Sequence, residues 1–149
     1  MILYEKEIKK DLFSRVSDLT EMNNIKESSI LISIDFWLSN KDEIINSKLN
    51  IGIEVNSDQS IELIQNDLKY FKLIQFHFNS FKDGRPFSYA KKLKTLYKFS
   101  SEIRASGYVL PDQYVFLRRC GFDSINIEEK DLKTWLQFLE MDEGIYYQP

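Results

Sequence analysis

The sequence predicts an α/β protein in which a parallel β-α-β-α-β-α-β unit curls like half of a barrel. From residue 51 onward, the apolar positions repeat alternately with the period of a strand and with that of a helix. Strands that alternate with single helices pair in parallel. Each predicted strand also has one polar face, whereas a doubly wound sheet, covered by helices on both sides, has strands that are apolar throughout. The half-barrel is therefore favoured over the doubly wound sheet.

The first two strand and helix pairs follow residue 51 directly. The strand IGIEV leads to the segment SDQSIELIQNDLKYF (57–71), in which Asp58 or Ser60 can cap a helix. The apolar residues of that segment share one helical face: Ile61, Ile64, Leu68 and Phe71. The second strand, LIQFHF, precedes a turn and a helix whose inner face is also apolar: Ala90, Leu93, Leu96 and Tyr97.

The other two pairs complete the repeating unit. The third strand is SEIRAS, and Pro111 suits the first turn of the helix PDQYVFLRRC. Gly121 stands where a helix C-cap belongs, just before the fourth strand, DSINI. The last helix carries one apolar stripe: Leu132, Trp135, Leu136 and Leu139.

The first fifty residues give weaker signals. The segment ILISIDFWL (30–38) is typical of a strand, and NKDEIINS (40–47) indicates a short helical turn. We predict that residues 1–50 form an N-terminal edge strand or cover, and that residues 51–141 form the β/α repeats. Since no repeat or linker argues for a second domain, residues 1–149 are expected to form a single α/β domain.

Composition restricts the classes of function. The chain has 149 residues, a formal net charge of -3 and a single cysteine, and its first ten residues lack the apolar core of a signal peptide. We therefore expect a cytoplasmic protein that binds neither membrane nor nucleic acid. Four lysines follow one another closely on a predicted helix, but they fall on its outward, solvated face: Lys91, Lys92, Lys94 and Lys98.

Polar residues cluster where the predicted strands end, which is the edge at which parallel α/β folds bind ligands. The candidates for an anion-binding site are Asp83, Gly84, Arg85, Arg104, Asp112 and Gln113. Two guanidinium groups beside helix N-termini suit a small oxyanion or a carboxylate. In the alternative interpretation, Asp83 and Gly84 form a turn, and the arginines pair with Asp83 or Asp112 to hold the loops.

His77 and Cys120 are the only residues of their types. His77, on the polar strand face, is either a base or a hydrogen-bonded interior histidine. Cys120 ends a helix, where a small buried hydrophobic role is favoured over a reactive thiol. One histidine and one cysteine cannot form a multi-histidine or zinc ligand set, and no glycine pattern for a phosphate or dinucleotide occurs. We predict no metal and no cofactor, and the residues identify no catalytic group.

Three segments resemble a known bacterial family: FKDGRPFSYAKKL, SEIRASGYVLPDQYVFLRRCGFDS and the terminal YYQP. The family is a domain of unknown function described as an oxidoreductase or accessory protein of sulfite reduction. The residues that match its pattern are Asp83, Gly84, Arg85, Ser88, Ala90, Arg104, Ala105, Gly107, Asp112, Gln113, Arg119, Cys120, Gly121, Phe122 and Asp123. The sequence departs from the pattern at Lys94, where the family has arginine, and at Tyr108, where it has aspartate.

The resemblance implies a role in assimilatory sulfite or sulfate reduction, with a sulfur-assimilation enzyme as partner. The absence of flavin, nicotinamide, haem or iron–sulfur motifs favours an accessory or small-anion-binding role. The alternative is an enzyme, an oxidoreductase of sulfite reduction, that acts at a rim site containing Asp83, Arg85 and Arg104.

The polar face of the predicted sheet needs a cover, because a bare parallel sheet face is rare. Its residues come from four adjacent strands: Glu54, Gln75, His77, Asn79, Glu102, Arg104 and Asn126. Three covers are open: the N-terminal segment around Ile34 and Phe36, a second copy of the chain, or a partner protein. Symmetric dimers are the commonest assembly, so a homodimer is the favoured cover.

Overall fold

A computed structural model describes the backbone of residues 1–146 and the side chains of residues 1–140. The terminal YYQP motif therefore lies outside the residues with described side chains. The strands are β1 (Ile2–Tyr4), β2 (Glu7–Lys9), β3 (Ser14–Arg15), β4 (Ser29–Ser33), β5 (Asn50–Asn56), β6 (Phe71–Phe78), β7 (Glu102–Gly107) and β8 (Ser124–Asn126). The helices are α1 (Leu19–Asn24), α2 (Ile34–Ser39), α3 (Lys41–Asn46), α4 (Arg85–Thr95), α5 (Tyr114–Cys120) and α6 (Leu132–Tyr146).

All eight strands form one sheet in the order β2-β1-β8-β7-β6-β5-β4-β3. The strands from β3 to β8 are parallel and lie in their sequence order, whereas β1 pairs antiparallel with both β8 and β2. Crossovers between parallel neighbours have the same hand, so an unbroken sequence order places the helices on one face. This is the arrangement of a half-barrel, as the polar strand faces predict.

The link between β2 and β3 shows that the sheet is strongly curled. These strands lie at opposite edges of the sheet, seven strand spacings apart, which in a flat sheet is about 34 Å. Along the chain, Lys9 and Ser14 are only five residues apart, a span of at most about 19 Å. The sheet must therefore bend until its two edges approach each other.

The hydrophobic core lies between the convex face of the sheet and the helices. Ile53, Ile74 and Ile103 occupy the same register position on three neighbouring strands and are fully buried. Leu93 of α4 and Leu117 of α5 belong to the same buried cluster. Since the period-2 pattern places every second side chain on this face, the alternate, polar residues point into the concave side.

The segment ILISIDFWL differs from the predicted edge strand. It forms β4 only as far as Ser33, and the rest is helix α2. The hydroxyl of Ser33 accepts a hydrogen bond from the backbone N–H of Phe36 at 3.1 Å, which is the bond that an N-cap residue makes. Moreover, β4 lies between β3 and β5, so it is an internal strand.

The segment 57–71 also differs from its prediction. In place of one α-helix it contains two 3-10 segments, Ile61–Leu63 and Gln65–Tyr70. Its apolar face is buried all the same, as Ile61 and Ile64 show. The side chain of Asp67 accepts a hydrogen bond from the Trp37 indole at 2.9 Å and pairs with the Lys41 ammonium at 2.8 Å. These contacts tie the crossover to α2 and α3.

The hairpin of β1 and β2 was not predicted. Its two turn residues, Glu5 and Lys6, have φ values of 49° and 69°, the left-handed conformation that a tight hairpin turn requires. Asparagine and glycine normally signal such a turn, and neither is present. The hairpin adds two antiparallel strands to the β8 edge.

The N-terminal segment of residues 10–15 covers part of the concave polar face. The ring of Phe13 lies 5.7 Å from the Arg104 guanidinium and packs so closely on Gly52 that a Cβ there would be 2.9 Å from it. Leu12, one residue earlier, points outward and is 72% exposed. A cover is thus supplied by residues 10–15, and not by those around Ile34 and Phe36. A homodimer stays a prediction.

Within residues 1–146, no helix has the length and apolar character needed to cross a membrane.

Candidate functional site

A cavity of ≈ 340 Å³ opens where the parallel strands end. The loops after β6, β7 and β8 and the first turn of α6 enclose it. This is the edge at which β/α folds build their sites, because the loops after successive strands converge there. The lining residues are His77, Phe81, Gly107, Tyr108, Val109, Leu110, Pro111, Glu128, Lys130, Asp131, Thr134 and Trp135.

His77 contributes an imidazole to the lining of the cavity. Its Nδ1 lies 3.1 Å from the Ser106 hydroxyl oxygen on the neighbouring strand. Gly107 follows with φ +85°, and a Cβ at this position would come 2.8 Å from His77 Cε1 and 2.5 Å from the Phe78 carbonyl oxygen. Glycine is therefore required here, both by the backbone conformation and by the nearness of the imidazole.

Aromatic rings form much of the wall. Phe81 and Tyr108 meet edge to face with ring centroids 5.1 Å apart, and both are about half exposed. Trp135 of α6 is buried and packs edge to face on Tyr114 at 6.3 Å. The Phe81 and Tyr108 rings are thus open to solvent and to any ligand that enters.

Three charged groups line the same cavity. The Lys130 ammonium lies 3.2 Å from the Glu128 carboxylate, and this hydrogen bond raises the pKa of Lys130. Asp131, the residue just before α6, is exposed. The Lys130 and Glu128 charges offset each other, so the charge that remains on the lining is the negative charge of Asp131.

Asp83 and Arg85 form a closed pair in the loop after β6. The Arg85 guanidinium donates to both carboxylate oxygens, at 3.0 and 2.8 Å, and the Arg85 backbone N–H donates to one of them at 3.1 Å. Together with the hydroxyl of Ser57, these bonds hold the pKa of Asp83 far below its ordinary value. Gly84 between them has φ -95°, so the loop does not require glycine here. The pairing of Asp83 with Arg85 is the contact that the alternative interpretation describes.

Asp112 and Gln113 lie in the next loop at the same edge, in the 3-10 turn Pro111–Gln113. The Gln113 side chain oxygen accepts a hydrogen bond from the Leu110 backbone N–H at 3.0 Å, and Asp112 is exposed. Gln113 thus shapes the loop that carries part of the cavity wall.

Arg104 lies away from this edge. The sequence analysis placed it near the end of β7, but it is the third of six residues, and its side chain points into the concave interior, where it is only 4% exposed. Its guanidinium donates to Glu102 at 3.0 Å, to Asp11 at 3.1 Å and to Gln75 at 3.5 Å. Two carboxylates therefore already neutralise Arg104, and the structure does not bring it together with Arg85.

Arg104 belongs to a row of hydrogen-bonded side chains across the concave face. Gln75 donates to Glu54 at 2.8 Å, and Arg15 donates to both Glu54 oxygens at 2.7 and 3.0 Å. Burial acts to raise the pKa of Glu54, but the bonds from Arg15 and Gln75 outweigh it, so this pKa lies below its ordinary value. In residues 1–140, every buried side-chain nitrogen and oxygen has a hydrogen-bond partner.

Residues 52–149 match the model of a family described as "Bacterial protein of unknown function (DUF934)". The chain belongs to this family. A comparison with curated proteins found no match. Among the described side chains of this family member, no three from His, Cys, Asp and Glu are arranged to hold a metal ion.

Several of the residues that carry the resemblance described in the sequence analysis have structural roles. Gly121 takes φ +110° at the end of α5, and Phe122 is buried in the core. Asp123 accepts hydrogen bonds from the Ile103 backbone N–H at 2.9 Å and from Lys94 at 3.1 Å. Lys94, a position where the sequence departs from the pattern used in the sequence analysis, thus supplies a cation for Asp123. Burial raises the pKa of the Cys120 thiol. A raised pKa leaves less of the reactive thiolate near neutral pH, as in unreactive cysteines.

The cavity is not predictable from the sequence, because its wall is discontinuous in the chain. Phe81, Tyr108 and Trp135 come from three different loops or helices, and no pair of them is adjacent in sequence. One residue could nevertheless have indicated the cavity from the sequence. Tyr108 is a large side chain that directly follows Gly107 at the carboxyl end of β7, the edge at which parallel α/β folds bind ligands.

Proposed function

We propose that this protein is a cytoplasmic accessory protein of assimilatory sulfite reduction that binds a ligand in the cavity above His77. The family-pattern residues motivate the link to sulfite reduction. The observation that carries the ligand-binding role is the cavity itself, since a partly apolar cavity of this size at the carboxyl ends of parallel strands is the usual form of a ligand site.

The contacts of the candidate residues favour this role over an enzyme that acts through Asp83, Arg85 and Arg104. Asp83 is held ionised by Arg85, so it is a poor proton donor or acceptor near neutral pH. Arg104 is enclosed by Glu102 and Asp11. If the protein is an enzyme, His77 is the better candidate for a catalytic group, because its imidazole lines the cavity.

Binding of a small oxyanion at Arg85 is the other part of the proposal, and we expect it to be weak. An anion must compete with a carboxylate that already makes two hydrogen bonds to the Arg85 guanidinium. Titration calorimetry with sulfite should give a dissociation constant in the millimolar range that Arg85→Ala weakens further. Arg119→Ala, which removes an exposed arginine from α5, is the control. Micromolar sulfite binding that survives Arg85→Ala would refute an anion site at this loop.

The accessory role is tested in the native bacterium. An affinity tag on the chromosomal copy should allow co-purification of a sulfite-reducing enzyme, identified by mass spectrometry. A deletion strain should grow poorly with sulfate or sulfite as the sulfur source and normally with cysteine. Normal growth on sulfite, together with no reductase in the purified material, would overturn the proposal.

Two variants locate the interaction on the molecule. Tyr108→Ala removes an exposed ring from the cavity wall, and Leu96→Ala removes an exposed apolar side chain from the end of α4. If the cavity edge carries the function, Tyr108→Ala impairs growth on sulfite and Leu96→Ala does not. If the purified wild-type protein instead reduces or oxidises sulfite with a supplied electron carrier, and His77→Gln abolishes this, the enzyme alternative is the correct one.

A further inference from the structure

We infer that the cavity selects a small organic ligand with a flat apolar body and a cationic or N–H-donating end, and that it disfavours anions. This inference rests on the proposed ligand-binding function and adds the chemical class of the ligand. Three features of the lining carry it: the aromatic wall, the balance of charge and the position of His77.

The aromatic wall suits a flat or cationic group. Phe81 and Tyr108 meet edge to face, remain 49% and 54% exposed and both line the cavity, so part of each ring is open to a ligand. Burial of this surface against a flat apolar body is favourable. The face of an aromatic ring also attracts ammonium and guanidinium groups, because the ring quadrupole is negative there.

The charges of the lining oppose an anion. Lys130 is its only lysine or arginine, and the ammonium already lies 3.2 Å from the Glu128 carboxylate. The second carboxylate, Asp131, also acts on Lys130 and raises its pKa, so two carboxylates share this one ammonium and the lining keeps one negative charge. A positively charged end near Asp131 gains an attraction, whereas a carboxylate or sulfite meets repulsion.

His77 provides a polar contact on the cavity lining. The Nδ1 atom is engaged with the Ser106 hydroxyl at 3.1 Å, and the ring remains part of the lining. The carboxyl end of β7 keeps the imidazole accessible through Gly107, where any side chain would contact the ring. When Nδ1–H donates to the Ser106 hydroxyl, the other ring nitrogen, Nε2, is the one that can accept a hydrogen bond from an N–H or hydroxyl group of a ligand.

Size limits the ligand to about one ring system. A volume of ≈ 340 Å³ is at the lower end of the range for small-molecule sites. Phenethylamine and phenylacetate are a matched pair of probes for it, because they share the phenyl ring and carry opposite charges near neutral pH.

The experiment measures the binding of both probes to the full chain by amide NMR titration at pH 7. Phenethylamine should shift the signals of Gly107, Tyr108 and the Trp135 indole N–H, and should bind at least fivefold more tightly than phenylacetate. Equal or tighter binding of phenylacetate at these residues overturns the inference, and so do shifts confined to other parts of the molecule.

Charge variants separate the two ligand classes by the sign of their effect. Asp131→Asn should weaken phenethylamine binding about two- to fivefold, whereas Glu62→Gln, an exposed carboxylate in another crossover, should not change it. Lys130→Met frees Glu128, so it should tighten phenethylamine binding and weaken any phenylacetate binding. If Lys130→Met weakens the binding of both probes, the cavity does not discriminate by charge.

These results are independent of the link to sulfite reduction. A deletion strain that grows normally on sulfite would refute the accessory role and leave the measured ligand class in place. Conversely, a strain that fails on sulfite, with a protein that prefers phenylacetate, would keep the accessory role and refute the ligand class.

Discussion

Single residues decide whether the candidate site can exist, and Gly107 is the clearest case. It leaves β7 with a positive φ, and its Cα faces the imidazole of His77. Gly84, in the loop after the neighbouring strand, has φ -95° and no atom within 4 Å of where a Cβ would be. The position of Gly107 thus requires glycine, whereas the position of Gly84, at the same edge of the sheet, does not.

Gly107→Ala should lower the free energy of unfolding by about 2 kcal/mol or more, because alanine is strained at positive φ and its methyl group meets the Phe78 carbonyl oxygen. The His77 and Ser106 NMR signals should shift with it. Gly84→Ala is the matched control and should change stability by about 0.5 kcal/mol or less. Equal effects of the two substitutions in chemical denaturation would contradict this account of Gly107.

Arg104 and Arg15 show how the burial of an arginine changes the contribution of its ion pairs to stability. Arg104 is 4% exposed between Asp11 and Glu102, whereas Arg15 is 62% exposed beside Glu54. Arg104→Met leaves the partly buried Asp11 and Glu102 carboxylates without the cation that they share and should cost about 2 kcal/mol. Arg15→Met should cost less, about 1 kcal/mol, because Arg15 itself is exposed and Gln75 still donates a hydrogen bond to the Glu54 carboxylate. If the Arg104 variant is as stable as the Arg15 variant, the interior row is not electrostatically important.

At the scale of elements, the concave face of the sheet is a row of side chains that neutralise one another. Glu54, Gln75 and Arg104 occupy the same register position on β5, β6 and β7, and Ser124 of β8 follows. Each bonds to the next across the strands. A polar strand face is stable here because every member of the row has a partner.

This row should make the protein sensitive to acid. The pKa of Glu54 lies below its ordinary value in the folded protein, so the unfolded chain binds more protons at moderately acidic pH. The stabilisation from Glu54 is therefore complete above its unfolded pKa of about 4.3 and is lost as the pH falls through the folded value. Urea unfolding between pH 6 and pH 3 should show a steeper loss of stability in the wild type than in Glu54→Gln. Identical slopes would show that Glu54 titrates normally.

At the scale of the whole molecule, the closing of the half-barrel depends on residues 10–15. This segment joins the two edges of the sheet and places alternate side chains, those of Asp11, Phe13 and Arg15, against the concave face. From the sequence, a homodimer was the favoured cover of this face, because symmetric dimers are the commonest assembly. Light scattering at a protein concentration of tens of micromolar measures whether the chain also forms a dimer.

Phe13→Ala should destabilise the protein by about 2 kcal/mol, because it removes the ring that covers Gly52 and Arg104. Leu12→Ala, at the adjacent outward position that is 72% exposed, should change stability by about 0.5 kcal/mol or less. Thermal melts of the two variants are sufficient to compare them. A Leu12 effect as large as that of Phe13 would mean that the segment packs in another way in solution.

The sequence by itself determined the parallel order of β5 to β8 and the polar face of the sheet. These follow from periodicity, which depends only on neighbours in the chain, such as Ile53 and Glu54 or Phe76 and His77. The turn of Asp83 with Arg85 was likewise predictable, because its partners are two residues apart.

The tertiary structure alone decided the features that join distant parts of the chain. Arg104 meets Asp11 across 93 residues, and the cavity wall combines Phe81, Tyr108 and Trp135 from separate loops. The hairpin turn at Glu5 and Lys6 is stabilised by strand pairing with β8 and not by residues of intrinsic left-handed preference. Local patterns carry no information on such contacts, since their energy comes from packing and pairing that exist only after the sheet has curled.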